Sequence, residues 1–296
     1  MSDFEFPMDD ARRVVHAALV EDLGGDDGVD VTTEATIPRD AVTTGEIVAR
    51  APGVVAGLPV AQLVVDETAT ITGSGMCEVN ILVPEGTVVA RGDVLATVSG
   101  PTATILTAER TILNILSRIS GVATATRDWA DALEGTGATV LDTRKTTPGM
   151  RALQKYAVRA GGGTNKRLGL FDVAMIKDNH KLAAGSITAA YDRIRERFPD
   201  VPVQVEVTTV EEGLEAVAAG ARFIMCDNMS PELLAETIEA LSATGETIEV
   251  EATGGLTLER AAEYAATGVD YLSVGALTHS AAILDIALDL AEGQDV

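Results

Sequence analysis

Residues 142–181 read DTRKTTPGMRALQKYAVRAGGGTNKRLGLFDVAMIKDNHK. All five lysines of the 296-residue chain, Lys145, Lys155, Lys166, Lys177 and Lys181, lie in this stretch, with Arg144, Arg151, Arg159 and Arg167 among them. From 144 onward only Asp172 and Asp178 oppose these cations, although the chain as a whole carries a formal charge of −23. A basic run is ordinarily a helix face paired with acidic neighbours. Here Pro148 and the triplet Gly161, Gly162 and Gly163 interrupt helical spacing, so the cations suit a site for a multiply charged anion better.

The stretch opens a regular alternation that continues almost to the end of the chain. Candidate strands at 139–144, 173–177, 202–207, 222–226, 248–252 and 270–274 alternate with candidate helices at 149–160, 181–197, 210–219, 231–243 and 257–266. Strands alternating with helices predict a parallel sheet, and no dinucleotide fingerprint follows any of them, which favours a barrel over an open sheet. Six strands are countable, two short of the usual eight. Polar residues fall at the carboxyl end of each: Arg144 and Lys145, Lys177 and Asp178, Glu206, Asp227, Glu251 with Thr253, and Ser273 with Gly275. Barrels place their active sites at these ends, so the residues are expected to share one mouth. The turns Thr253-Gly254-Gly255 and Gly275-Ala276 leave backbone N–H groups for a phosphate, the first before a helix that Thr257 is expected to cap. Glu206 and Asp227 suit ribose hydroxyls, a magnesium ion or a developing cationic sugar carbon.

Toward the amino terminus, residues 9–22 predict a helix and 31–40 a loop, with His16 read as structural. The runs GEIVARAPGVVAG, MCEVNILVPEG and TVVARGDVLATVSG between 43 and 100 predict an antiparallel sheet. A long helix is expected from Thr107 to Leu133, with Ile112, Ile115, Leu116 and Ile119 on its buried side and Thr107 as its cap. Arg110 would then sit in the first turn, an unfavourable place for a cation unless it meets an anion.

A hydrophobic content of 46% supports a large core in one or two domains. No membrane span is expected, and the acidic start MSDFEFPMDDARR is unlike a signal peptide. Cys77 and Cys226 are expected as free buried thiols in a reducing cytoplasm. The net charge excludes a generally basic nucleic-acid surface. The acidic excess and the preference for arginine over lysine fit a protein soluble in concentrated salt, where screening shortens to about 3 Å at 1 M, and point to a halophilic source.

The stretch LDTRKTTPGMRALQKYAVRAGGGTNKRLGLFDVAMIKDNH resembles the signature of the quinolinate phosphoribosyltransferases, the carboxylating nicotinate-nucleotide pyrophosphorylases. TAERTILNILSRISGVAT, VEV, CDN, EATGG and SVGALTHS resemble that family's other blocks in order, over about residues 12–290. The resemblance implies an N-terminal open-faced α/β sandwich over 1–110, joined by a C-terminal helix within 281–296, and an incomplete six-stranded α/β barrel over 111–280. It implies phosphoribosyl transfer from phosphoribosyl pyrophosphate to quinolinate with decarboxylation, a step of NAD biosynthesis, with Mg2+ as cofactor. It implies a homodimer with shared active sites, or a hexamer, in which Arg110 of one subunit reaches the other's site. Arg110, Arg144, Lys166, Arg167 and Lys177 would then bind quinolinate. Lys145 and His279 would face the pyrophosphate, Thr253, Gly254, Gly255 and Gly275 the 5-phosphate, and Glu206 and Asp227 the ribose and magnesium; catalysis would rest on Lys145, Glu206 and Asp227.

Two positions depart from the family's pattern. Lys166 stands where a histidine is usual, and would act as a permanent positive charge lining the dicarboxylate pocket. Thr253 stands where a serine is usual. Three alternatives stay open: a relative acting in molybdenum metabolism, a Schiff-base barrel aldolase, and a non-catalytic phosphosugar-binding protein.

Overall fold

The computed structural model describes residues 5–290, which divide into two compact units. Strands run at Val42–Ala49 (β1), Gly53–Val54 (β2), Glu78–Ile81 (β3), Val88–Val89 (β4), Val94–Pro101 (β5), Thr139–Leu141 (β6), Ala174–Ile176 (β7), Val203–Val207 (β8), Phe223–Asp227 (β9), Glu249–Thr253 (β10), Tyr271–Ser273 (β11) and Ile286–Leu290 (β12).

The first unit comprises the chain up to Arg127, the insertion Thr146–Gly162 and the segment from Ser280 onward. Its sheet has the order β12-β1-β5-β3, antiparallel throughout. The expected alternation of short strands is broken by a helix at Pro59–Thr72, whose Val60, Ala61, Leu63, Val64 and Val65 are buried. Pro59 opens it, where its missing N–H costs nothing, and Gly73 at φ +69° closes it. The predicted loop at 31–40 contains a helix, Val31–Thr36, because the Asp30 carboxylate accepts hydrogen bonds from the backbone N–H groups of Thr32 and Thr33.

The long helix runs from Thr102 to Ala132, starting a turn and a half earlier than expected. Thr107 therefore caps nothing; its hydroxyl donates to Asp30 at 3.2 Å. Arg110 lies in the third turn and is exposed, so it is not a cation in the first turn of the helix as expected. The unit boundary at Arg127 also assigns most of this helix to the first unit, where a boundary near 110 was expected.

The expected C-terminal helix is replaced by an extended segment followed by β12, and residues 291–296 of that expectation lie outside the described residues. The physical reason is where its backbone finds partners. Leu284 N–H donates to Ser117 O at 3.0 Å, the Arg118 guanidinium donates to Ala281 O, and β12 completes an otherwise open edge of β1. Arg50 and Asp289 reinforce that edge at 2.5 Å. The crossing is close: a Cβ on Gly121, inside the long helix, would lie 2.0 Å from Ala282 O.

The second unit comprises Asp128–Lys145 and Gly163–His279. Its six strands are all parallel in the order β6-β11-β10-β9-β8-β7. The first strand thus returns beside the last, as a barrel requires, while no ladder joins β6 to β7 among the described residues. The result is the six-stranded incomplete barrel. Val140, Val205, Ile224, Cys226, Val250, Ala252 and Leu272 are buried on these strands. The single helix predicted at 181–197 is two, Asp178–Ala184 and Ile187–Arg197, separated by Gly185 at φ +99° and by Ser186, whose side chain caps the second.

Alanine normally stabilises a helix interior relative to glycine by about 1 kcal/mol. Because of the crossing segment, Gly121→Ala is expected instead to lower the unfolding free energy by about 2 kcal/mol, read from the denaturant midpoint. A stabilised variant would show that the 281–284 segment does not press on the helix.

Candidate active site

Asp142 is the first residue beyond β6 and is fully buried. Its carboxylate accepts from Asn165 Nδ2 at 2.7 Å and from the Lys166 backbone N–H at 2.8 Å, and Leu141 bridges to Thr164. Segment 164–167 is thereby fixed at the open edge of the barrel, where no further strand pairs with β6 among the described residues. A buried carboxylate with hydrogen-bond donors is tolerable, whereas one without them is costly.

From that segment Lys166 extends to Glu251 on β10, with Nζ 2.5 Å from both carboxylate oxygens. The two side chains are 8% and 0% exposed. Met225 Sδ lies 3.0 Å from the same nitrogen, and the Phe223 ring is 5.9 Å away. Burial pulls the Lys166 pKa down, Glu251 pulls it back up, and the positive charges of Lys177 and Arg167 add to the lowering. Lys166 lines the cavity, and the buried Glu251 carboxylate pairs with its ammonium from behind.

Lys177, just past β7, donates to Glu206 on β8. Glu206, expected to face a ribose or a metal, therefore also balances a neighbouring cation. The pairing extends along the chain, since Lys181 bridges Asp178 at 2.8 Å and Glu212 at 2.9 Å, and Glu212 in turn accepts from Thr208 N–H at 2.7 Å. Arg167 donates to Val173 O at 3.1 Å, and burial first, then the adjacent Arg144, lower its pKa. Two guanidinium-bearing side chains lining one cavity suit an anion between them.

Lys145 lies four residues beyond β6, with Thr278 donating to its carbonyl at 2.9 Å. A Cβ on Gly275 would meet Lys145 Cδ at 2.9 Å and His279 Nε2 at 3.2 Å, so this glycine lets the two side chains converge. The Thr253-Gly254-Gly255 turn has φ +87° and +60° at its glycines, and a Cβ on Gly254 would strike Asn228 Oδ1 at 2.5 Å. Thr257 does not cap through its side chain. It leads into a 3-10 turn, Leu258–Arg260, and the short helix Ala261–Ala265, so any anion at this turn relies on local backbone N–H groups.

These elements enclose a cavity of about 370 Å³. Arg144, Lys145, Lys177, Glu206, Asp227, Thr253 and Ser273 line it, as the strand-end reading expected, together with Lys166, Arg167 and Gly254, whereas Asp178 and Glu251, expected from the same reading, are not in its wall. Gly255, Gly275 and His279 are not in its wall; the last two flank Lys145. Arg110 belongs to the first unit, where it borders a groove with Leu113 and Arg118. Met175 and Met225 also line the cavity, and Asp142 and Asn228 brace it, none of which the sequence singled out. For Asp142 a signal existed: it directly follows an apolar run and precedes two cations. Glu206 and Asp227, at the ends of neighbouring strands, are the cavity's carboxylates. Among the described residues no group of three or more His, Cys, Asp or Glu could hold a metal unaided.

Fold and site together define an α/β-barrel protein with a cationic cavity at the carboxyl ends of its strands. Two family models match in succession: the quinolinate phosphoribosyl transferase N-terminal domain over residues 30–120 and its C-terminal domain over 122–289. The chain belongs to the quinolinate phosphoribosyltransferase family. It is 48% identical to the carboxylating nicotinate-nucleotide pyrophosphorylase of Mycobacterium leprae, covering 98% of this chain and all of that one. It is 38% identical to the decarboxylating quinolinate phosphoribosyltransferase 1 of Nicotiana glauca, covering 96% and 83%. The solved nicotinate-nucleotide pyrophosphorylase of Francisella tularensis superposes with a TM-score of 0.87 at 33% identity, over 98% of this chain and all of the other. The NadC structure from Streptococcus pyogenes superposes with a TM-score of 0.88 at 34% identity, over 98% and 99%.

Proposed function

We propose that this protein transfers the phosphoribosyl group of phosphoribosyl pyrophosphate to quinolinate, releasing pyrophosphate and carbon dioxide and forming nicotinate mononucleotide. The observation that carries this reading is one cavity holding Arg144, Arg167 and Lys177 together with Lys145 and the Thr253-Gly254 turn. A pyridine dicarboxylate needs the first group, and a phosphorylated sugar needs the second.

Arg144 and Arg167 would grip the substrate carboxylates through their planar forks, with Lys177 and Lys166 supplying further charge. Lys145 and His279 would receive the departing pyrophosphate, the Thr253-Gly254-Gly255 turn and Gly275 the 5-phosphate. Glu206 and Asp227 would lie beside the sugar carbon as it gains positive character. The pyridine nitrogen attacks that carbon as the bond to pyrophosphate breaks. The 2-carboxylate then leaves as carbon dioxide, its electron pair remaining on the ring carbon beside the cationic nitrogen until a proton takes its place. No covalent nucleophile is needed, so catalysis rests on orientation and preorganised charge.

Magnesium fits the two carboxylates, because Mg2+ is commonly held by one or two carboxylates with substrate phosphates and water completing the octahedron. Glu206 and Asp227 would hold it, and when bound it would neutralise phosphate charge.

Incubation with quinolinate, phosphoribosyl pyrophosphate and magnesium tests the reading, with carbon dioxide and nicotinate mononucleotide as the expected products. Nicotinate lacks the 2-carboxylate and leaves cations unmatched, so its kcat/KM is expected to be at least about a hundredfold lower. Comparable use of both substrates would sink the dicarboxylate assignment.

The exposed Arg110 supports a second element, a homodimer in which this residue enters the partner's cavity. Mixing Arg110→Ala with Lys145→Ala, each inactive alone, is then expected to restore activity, up to about a quarter of the native level, as mixed dimers assemble one intact site. No recovery after demonstrated subunit exchange would place Arg110 outside the site.

A further inference from the structure

Glu251 is absent from the cavity wall, yet both its oxygens grasp the one cavity lysine that is almost wholly buried. We propose that Glu251 is a positioning residue for the substrate carboxylates, acting through Lys166, whose ammonium it keeps charged and fixed against the cavity. The proposal rests on the dicarboxylate reading of the site for the identity of the ligand.

The surroundings of Lys166 explain why a carboxylate partner is needed. From β9, Phe223 and Met225 offer a ring and a thioether, and neither can balance a charge. Also on β9, Cys226 is no proton competitor, since burial and the Glu251 charge push its thiol up to about 12. From the end of β7 comes Lys177, and from its own segment Arg167, both positive. Asp142 beyond β6 engages the Lys166 backbone N–H through its carboxylate. Glu251 on β10, by contrast, meets the ammonium directly, and it does so bidentately. A lysine anchored this way has its rotamer decided before substrate arrives, which removes an ordering cost from binding. It also has its protonation decided by a residue the substrate never touches.

Without the carboxylate, burial and two neighbouring cations lose their chief opponent, so the Lys166 pKa would fall further. A lysine is charged below its pKa and neutral above it, so the defect grows as pH rises. In Glu251→Gln, the KM for quinolinate is expected to stay within about threefold of native near pH 6 and to be raised at least about tenfold near pH 9. The KM for phosphoribosyl pyrophosphate is expected to change less than about threefold across that range. Lys166→Met should raise the quinolinate KM at every pH, and adding Glu251→Gln to it should bring no further pH dependence.

With only five lysines in the chain, side-chain carbon NMR of selectively labelled protein can follow Lys166 directly, its resonance identified by loss in Lys166→Met. In Glu251→Gln it is expected to titrate at least about one pH unit lower than in the native protein. If Glu251→Gln does not fold, Glu251→Asp, which keeps the charge and should keep a level KM profile, decides the matter. A Lys166 resonance that titrates alike in the native protein and in Glu251→Gln, or a loss in Glu251→Gln that is equal at all pH values, would overturn the proposal. A shifted lysine titration in a protein that never accepts quinolinate would instead sink the dicarboxylate reading while leaving the ion pair intact.

Discussion

Cations gathered in a small cavity repel one another, and each loses hydration as it is buried, so a cluster such as Arg144, Lys145, Lys166, Arg167 and Lys177 cannot persist by itself. The carboxylates at the strand ends make it possible. Asp142, Glu206 and Glu251 are all buried, sit at or near the ends of β6, β8 and β10, and engage the cationic segment directly. Removing one partner of a pair buried on both sides, as Lys166 and Glu251 are, costs about 3–5 kcal/mol, which is a large share of a domain's net stability. The parallel sheet matters to function chiefly because it holds these acids at fixed separations. The division of labour is visible in burial: Glu251 and Asp142 are fully enclosed and act on the chain, while Asp227 remains partly open in the cavity wall.

Much of this was legible in the sequence because a parallel α/β unit ties chain order to spatial order. Six apolar runs alternating with helices fixed the barrel, and the residues that end those runs became the cavity wall. Arg144, Lys145, Lys177, Glu206, Asp227 and Thr253 were found this way. Ion-pair partners were not, since Lys166 and Glu251 are 85 residues apart and nothing in either neighbourhood announces the other. The same limit hid Asn228, whose role beneath Gly254 depends on two turns meeting. Lys166 shows the consequence: a substitution readable as an extra positive charge is, in three dimensions, half of a nearly enclosed ion pair.

The departures in the first unit have a common cause. Short apolar runs rich in valine suit strand and buried helix alike, and the helix Pro59–Thr72 was lost among them. Residues 281–290 depart for a different reason. Their helical composition was overridden by tertiary opportunity, because β1 had an open edge and Gly121 let a chain segment pass against the long helix. Propensity is worth tenths of a kcal/mol per residue, and an unpaired sheet edge can outweigh it. The start of the long helix mattered most for function, since moving it to Thr102 removed the local reason for singling out Arg110.

The central claim is that buried acids hold the cations in register for a dianionic ligand, and Asp142→Ala tests it most directly. The variant leaves Asn165 and the Lys166 N–H without the Asp142 acceptor and frees the open edge of the barrel. Calorimetric titration with quinolinate, beside a denaturant curve, is expected to show at least about tenfold weaker binding and an unfolding free energy lower by about 3 kcal/mol. Native affinity and native stability in that variant would contradict the account.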